Sequence, residues 1–282
     1  MFKHYLITRF NLKKSDWKTN KNKVDVLTDE WHKNRFDLFL NFCVPSVMSQ
    51  TNTNFEWLVF FDTSTKDEFR TVIKNVEQEL TNFKPFFVDG MDAFLPSIKS
   101  YINSCSEDYI ITSRLDNDDC LGQHYINSVQ KKFNGQDFMA IDYIKGYTLQ
   151  ILPEVKLGFK LHQYNPFTSL IEINKDPKTI WSIPHNHWKY ESNILQIKDE
   201  SIWTSIIHEE NKVNKFTGFG NVTHKDFFKD FKISKEKMDY VDQHIKSENK
   251  WKLESIANYI SSYWSYHFKN LKKRLGFYNN RT

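Results

Sequence analysis

The run Tyr109-Ile110-Ile111-Thr112-Ser113-Arg114-Leu115-Asp116-Asn117-Asp118-Asp119 sets an apolar, β-branched strand directly before three carboxylates in four residues. Like charges crowded in this way repel, and a hard divalent cation such as Mg²⁺ or Mn²⁺, which prefers oxygen ligands, relieves the repulsion. The loop just beyond the carboxyl end of a strand is also where open α/β sheets bind ligands. A plain acidic turn, with Asp119 capping the following helix, would account for the same residues without chemistry. Thr8, Arg9 and Asp62 fall at the ends of two earlier apolar strands, where the base and ribose of a nucleotide would lie in such a sheet. For Asp62, a turn before Thr63-Ser64 is the competing reading.

The elements that must position these side chains are legible from periodicity. Tyr5 to Phe10 reads as a strand, followed by a polar, Lys/Asn-rich loop. Arg35 to Gln50 carries Phe36, Phe39, Leu40, Cys43 and Val47 at helical spacing, and Trp57 to Asp62 is a buried strand. A helix from Lys66 to Leu80, a strand at Pro85 to Val88 and a helix from Met91 to Asn103 lead to the strand that ends in the acidic cluster. Continuous apolar strands alternating with helices imply a parallel sheet covered on both faces. Beyond the cluster, Gln123 to Phe133 reads as helix and Phe138 to Tyr143 as strand. Tyr147 to Leu152 and Thr168 to Ile173 then complete a mixed or antiparallel part. The α/β domain is expected over residues 1–245, with an appendage over 246–282. In that appendage Ile256, Tyr259, Ile260, Tyr263, Trp264, Phe268, Leu271 and Leu275 recur near helical spacing among Lys269, Lys272, Lys273 and Arg274. Such a basic, aromatic amphipathic helix over 251–277 either lies peripherally on an anionic membrane or packs on the core or across a dimer.

With 282 residues, 39% of them hydrophobic and 16% aromatic, the chain can bury a sizeable core. A net charge of +4, not gathered on one face, gives no reason to expect a nucleic-acid partner. Cys43, Cys105 and Cys120 lack metal-ligand spacing and read as free thiols of a reducing compartment, which points to the cytoplasm. The amino-terminal residues turn polar too soon for a signal peptide, and no apolar run reaches membrane-spanning length.

Taken in order, Ile7-Thr8-Arg9-Phe10-Asn11, Arg35 with Leu38-Phe39, Pro45-Ser46 with Gln50, Ser113 to Asp119, and Trp203 with Ile207-His208 and Asn211 resemble the bacterial rhamnosyltransferase family over roughly residues 4–215. The resemblance implies a GT-A glycosyltransferase: a Rossmann-like mixed central sheet flanked by helices that binds a nucleotide diphosphate sugar. It would transfer the sugar, rhamnose by the family's name, to a saccharide or lipid-linked oligosaccharide acceptor in bacterial surface polysaccharide synthesis. By the same resemblance, Asp116 would lie near the ribose and the Mn²⁺ or Mg²⁺ ion, Asp118 would ligate the ion, and His208 would complete the metal site. Thr8, Arg9, Asn11, Asp62, Arg114, Asp119 and His187 would contact the donor. His187 enters because two histidines two residues apart on an extended segment, His185 and His187, point the same way. If transfer inverts the anomeric centre, a carboxylate must take the acceptor proton. Asp199-Glu200, opening an expected helix through Trp203 to His208, resembles in reversed order the Glu-Asp element that supplies this base in inverting GT-A enzymes, with Glu191, Glu209 and Glu210 as alternatives. A metal-dependent phosphoesterase would also use clustered Asp and His, but two metals need ligands from several strand ends. A noncatalytic sugar-binding module would leave Asp116 and Asp118 together unexplained.

Overall fold

The strongest apolar, β-branched runs become the centre of a single mixed sheet. The computed structural model describes residues 1–14, 19, 25–211 and 214–278; part of the polar loop expected after the first strand thus lies outside the described residues. In chain order the strands are β1 (Phe2–Arg9), β2 (Glu56–Asp62), β3 (Phe83–Val88), β4 (Tyr109–Arg114), β5 (Cys120–Leu121), β6 (Phe138–Gln150), β7 (Lys156–Leu161), β8 (Ser169–Ile173) and β9 (Ile194–Ile207). The helices are α1 (Asp29–Leu38), α2 (Val44–Met48), α3 (Asp67–Glu79), α4 (Phe94–Ile102), α5 (Tyr125–Gln130), α6 (His224–Asp230), α7 (Lys235–His244) and α8 (Lys252–Arg274). The sheet order is β3-β2-β1-β4-β8-β6-β9-β5, with β7 also on β6. Strands β3, β2, β1 and β4 are parallel, β8 runs antiparallel between β4 and β6, and β9 returns parallel to β6. This is the mixed central sheet flanked by helices expected from the sequence.

Side-chain alternation explains why both faces are covered. Along β2, Trp57, Val59 and Phe61 join Phe36, Phe39, Phe69 and Ile73 on one face. Leu58 and Phe60 join Phe94, Ile98 and Ile102 on the other. The helix expected from Arg35 starts earlier, because the Thr28 hydroxyl accepts the Trp31 amide at 3.2 Å and caps it. It runs through a π-helical turn, Phe39–Cys43, into α2. The wide turn falls directly before Pro45, whose nitrogen has no hydrogen with which to continue the ladder.

Three expectations are corrected. Phe138 to Tyr143 and Tyr147 to Leu152 are not two strands: they merge in β6, which bends through register irregularities against β9 between Tyr143 and Tyr147. The expected helix from Ser201 to His208 is the second half of β9, with residues 202–207 all buried. Its apolar positions suit a helix as well as a strand, but both faces of the segment are covered, and Ile202, Ile206 and Ile207 favour the extended backbone. The segment His185–Tyr190 is a 3₁₀ helix rather than extended, so residues two apart diverge.

One buried carboxyl braces the second half. Asp142 accepts the amide of Tyr164 at 2.8 Å, Asn165 Nδ2 at 3.0 Å and Gln196 Nε2 at 2.9 Å. Burial nevertheless pushes its pKa up to about 6, against the pull of these donors. An acid whose folded pKa lies above its unfolded value destabilises the fold when ionised, and the penalty disappears as pH falls through the folded pKa toward the unfolded one. The melting temperature of the chain relative to Asp142→Asn is therefore expected to rise between about pH 7 and pH 4. The gain is at most roughly 1.4 kcal/mol per pH unit, read from parallel thermal melts. A pH-independent difference would contradict it.

Candidate active site

Beyond the carboxyl ends of β1 and β4 lies a polar cavity of about 540 Å³, lined by Arg9, Arg35, Met91, Arg114, Asp116, Asn117, Asp118, His185 and Asn211, among others. The loop that carries the carboxylates is held from two sides. Asp119 Oδ1 accepts the Ile206 amide at 2.9 Å, and β5 pairs Cys120 and Leu121 with Thr204 and Trp203. Those contacts pull the end of β9 against the loop, which is why His208 reaches Asp118 across 90 residues of chain.

Asp118 is nearly buried. Its Oδ2 accepts Arg35 Nη1 at 2.6 Å and lies 2.9 Å from His208 Nε2 and 3.4 Å from Asn211 Nδ2. The Glu210 amide donates to His208 Nδ1 at 3.3 Å, and Asn211 Nδ2 lies 2.8 Å from the same Nε2 that faces Asp118, so the ring is held from three sides. Burial alone would raise the Asp118 pKa. The Arg35 charge and the donors from Arg35 and His208 outweigh it and hold the carboxyl well below the usual carboxylate range. Asp116 is more open and is gripped by Arg114, with Nη2 at 3.1 Å and Nε at 3.3 Å from Oδ1. The guanidiniums of Arg114 and Arg9 lie 4.0 and 5.4 Å from the ring centroid of Trp181, so an aromatic surface supports two cations at the cavity edge.

Of the expected residues, the structure gathers Arg9, Arg114, Asp116 and Asp118 around the cavity, with His208 behind Asp118. The others lie elsewhere. Thr8 is buried and accepts the Trp57 indole N–H at 2.9 Å. Asn11 Oδ1 accepts the Asp62 amide at 3.0 Å, and the Asp62 carboxylate caps the turn through Ser64 N at 3.0 Å and Lys13 N at 3.1 Å. Asp119 turns away from the cavity toward β9. Burial, then the charges of Asp118 and Asp116, push its pKa well up. His187 is exposed on the 3₁₀ turn, and it is His185, held by Nδ1 to the Tyr164 carbonyl at 2.8 Å, that lines the cavity. Asp199 is exposed, and Glu200 binds Ser128 Oγ and Lys132 Nζ, so the strand conformation of β9 takes both away from the cavity.

Two further residues belong to the site without having been assigned a role from sequence. Arg35, over Trp31 at 5.1 Å, neutralises Asp118, and Asn211 binds the His208 amide through Oδ1 at 2.8 Å. Both stand within the motif that carries the family resemblance. On the far side of His208 a second cavity of about 550 Å³ combines Leu38, Ile151, Leu152 and Tyr240 with Glu30, Asp37, Glu209, Glu210 and Glu236.

Among the described residues, no group of three His, Cys, Asp or Glu side chains is arranged to hold a metal ion by itself. The two carboxylates nevertheless fit a hard divalent cation. The named contacts to Asp118 converge on Oδ2 and do not involve Oδ1, and Mg²⁺ is commonly held by one or two carboxylates with phosphate and water completing its shell. His208 Nε2 lies against Asp118 Oδ2 at 2.9 Å and Asn211 Nδ2 at 2.8 Å.

A strand-end acidic loop facing arginines across a mixed α/β sheet is a site suited to an anionic, phosphate-bearing ligand. Residues 3–218 match the family model described as "Putative rhamnosyl transferase", and the chain belongs to that family. No curated protein matches the chain. Among solved structures, S. aureus TarS 1-349 is similar at 13% identity and a TM-score of 0.39, over 72% of this chain and 60% of that one. The mannosyltransferase PcManGT from Pyrobaculum calidifontis, solved with GDP-Man and Mn²⁺, is similar at 7% identity and a TM-score of 0.42, over 74% and 58%. The chain thus spans about 60% of the length of these solved chains.

Proposed function

We propose that this chain transfers a sugar, rhamnose by the family's name, from a nucleoside diphosphate donor to a saccharide acceptor in bacterial surface polysaccharide synthesis. The observation that carries the reading is the convergence of Asp116, Asp118, Arg9 and Arg114 on one polar cavity at the ends of β1 and β4. Arg9 and Arg114, set against Trp181, bind the diphosphate, and Asp116 fixes the Arg114 fork through its two nitrogens. Asp116 and Asp118 would hold Mg²⁺ or Mn²⁺. Neutralising the charge that grows on the departing diphosphate is the chemistry such a cation supplies. Arg35 and His208 hold Asp118 ionised and oriented.

The acceptor occupies the second cavity, where carboxylates meet sugar hydroxyls and Tyr240 offers an apolar face. Glu209 and Glu210, which follow His208 in the chain and line this second cavity, take the place of Asp199 and Glu200 as candidates for the base. The free thiols support a cytoplasmic location.

The test is a panel of nucleotide sugars incubated with saccharide acceptors, with released nucleoside diphosphate as the readout. One donor is expected to turn over in an acceptor-dependent way. Glu209→Gln or Glu210→Gln is expected to slow it by about 100-fold or more, the range for a positioned base. Release with no dependence on acceptor, unchanged in both variants, would sink the assignment of the second cavity.

A further inference from the structure

Helix α8 leaves its most apolar stripe uncovered. The side it lays on the body combines polar contacts with tyrosines: Ser255 Oγ accepts the Gly220 amide at 2.9 Å, Asn258 donates to the Gly218 carbonyl at 3.0 Å, Asn270 accepts from Gln163 at 2.8 Å, and Tyr263 and Tyr266 pack against Ile144, Leu161 and Phe219. The opposite side carries Leu253, Ile256, Ile260, Trp264, Phe268, Leu271 and Leu275, each three or four residues from the next. At that spacing they form one stripe, on the order of 30 Å long at 1.5 Å per residue. All of them are exposed, Leu253 to 85%, Trp264 to 68% and Leu275 to 63%. A surface helix ordinarily buries its apolar stripe and shows its polar one. A continuous exposed stripe marks an interaction surface.

Charge selects the occupant. Within the helix stand Lys252, Lys269, Lys272, Lys273 and Arg274 against one acidic residue, Glu254, which is already paired with Lys156 at 2.9 Å. Lys272 Nζ lies 4.4 Å from the Phe268 ring centroid, at the edge of the stripe, and Arg274 is exposed near its end. Lys269 and Lys273 turn toward the body, which leaves Lys272 and Arg274 as positive charge at the C-terminal end of the stripe; that charge disfavours a second copy of the same helix and favours anionic headgroups, while the aromatic and aliphatic side chains enter the acyl boundary.

We propose that α8 docks in the plane of a membrane containing anionic lipid. The same helix reaches the candidate site from behind. Lys273 Nζ donates to the Glu191 carbonyl at 3.4 Å, and Tyr278 packs edge-on to Tyr190 at 5.8 Å, both next to the 3₁₀ turn whose His185 lines the cavity. Docking would therefore hold that wall of the cavity near the lipid surface, where a lipid-linked acceptor is presented; this last step rests on the transferase reading, whereas docking itself does not.

The experiment is co-sedimentation of the full chain with vesicles of phosphatidylcholine alone and of phosphatidylcholine with phosphatidylglycerol. The chain is expected to bind the anionic vesicles, with a blue shift in tryptophan emission. Trp264→Glu with Ile260→Glu, both at exposed positions, should abolish binding without changing the melting temperature. Lys272→Glu with Arg274→Glu should weaken it by on the order of tenfold or more. Nucleotide binding is expected to be unaffected in all these variants, which separates failure of docking from failure of the transferase reading. Equal sedimentation of the chain and its variants would overturn the proposal. So would a dimer in solution that the stripe substitutions dissolve, since a second copy would then be the occupant.

Discussion

Asp118→Asn is expected to lower donor-dependent turnover by about 100-fold or more, the scale seen when one pre-organised electrostatic group is removed from a transition-state site. The substitution keeps shape and removes charge. It therefore withdraws the carboxylate charge proposed for the cation and leaves the Arg35 guanidinium, which lies 2.6 Å from Oδ2, without its counter-charge. Side-chain exposures of 8% for Arg35 and 13% for Asp118 mean that water would do little to compensate. Breaking a buried pair from one side costs about 3–5 kcal/mol, so stability and activity are expected to fall together in the single variant. Pairing it with Arg35→Met separates the two effects. Removing both charges should recover part of the lost melting temperature while turnover stays low. Recovery of both, or turnover that never falls, would mean that Asp118 is a structural partner of Arg35 and nothing more.

Gly146→Ala is expected to cost about 3 kcal/mol or more, at the upper end for overpacking, and to lower the melting temperature by roughly 6–12 °C. A Cβ at this position would lie 2.3 Å from Trp203 Cδ2 and 2.6 Å from the Trp203 backbone oxygen. The indole cannot move aside. It is fully buried, stacked on Phe167 at 4.7 Å, and its N–H donates to the Tyr143 carbonyl. Nor can the carbonyl, which belongs to the β6–β9 pairing through the bend between Tyr143 and Tyr147. The consequence for the site is indirect but specific, because β9 delivers Ile206 to Asp119 and His208 to Asp118. Nucleotide binding is expected to weaken in the folded variant, measured below its melting temperature. An unchanged melting temperature would show that β6 and β9 do not share this register.

The bend at Gly146 also shows where the sequence ceased to be readable. Strands β1, β2 and β4 were legible because they are buried on both faces, and such strands are continuous apolar runs. The acidic loop was legible because three carboxylates in sequence have few other uses. Segment 202–207 was not, since a short apolar run buried all round has no periodicity to separate strand from helix. Reading it as a helix placed Asp199 and Glu200 at a helix start, as candidates for the base that takes the acceptor proton, whereas β9 sends Glu200 to Ser128 and Lys132. Arg35 shows a different limit. Its place on α1 could be read from spacing, but the partner of a buried arginine is 83 residues away and is fixed only by the sheet. The distinction between His185 and His187 likewise depends on whether two residues span a strand repeat or part of a 3₁₀ turn.

The most direct measurement is calorimetric titration of the chain with UDP, GDP and dTDP, each with and without Mg²⁺ or Mn²⁺, alongside Arg114→Ala and Asp118→Asn. One nucleoside diphosphate is expected to bind, more tightly with the cation. Arg114→Ala should weaken binding under both conditions, and Asp118→Asn should erase the cation's increment. Failure of all three nucleotides to bind, or binding that both substitutions leave unchanged, would contradict the assignment of this cavity to a nucleotide-sugar donor.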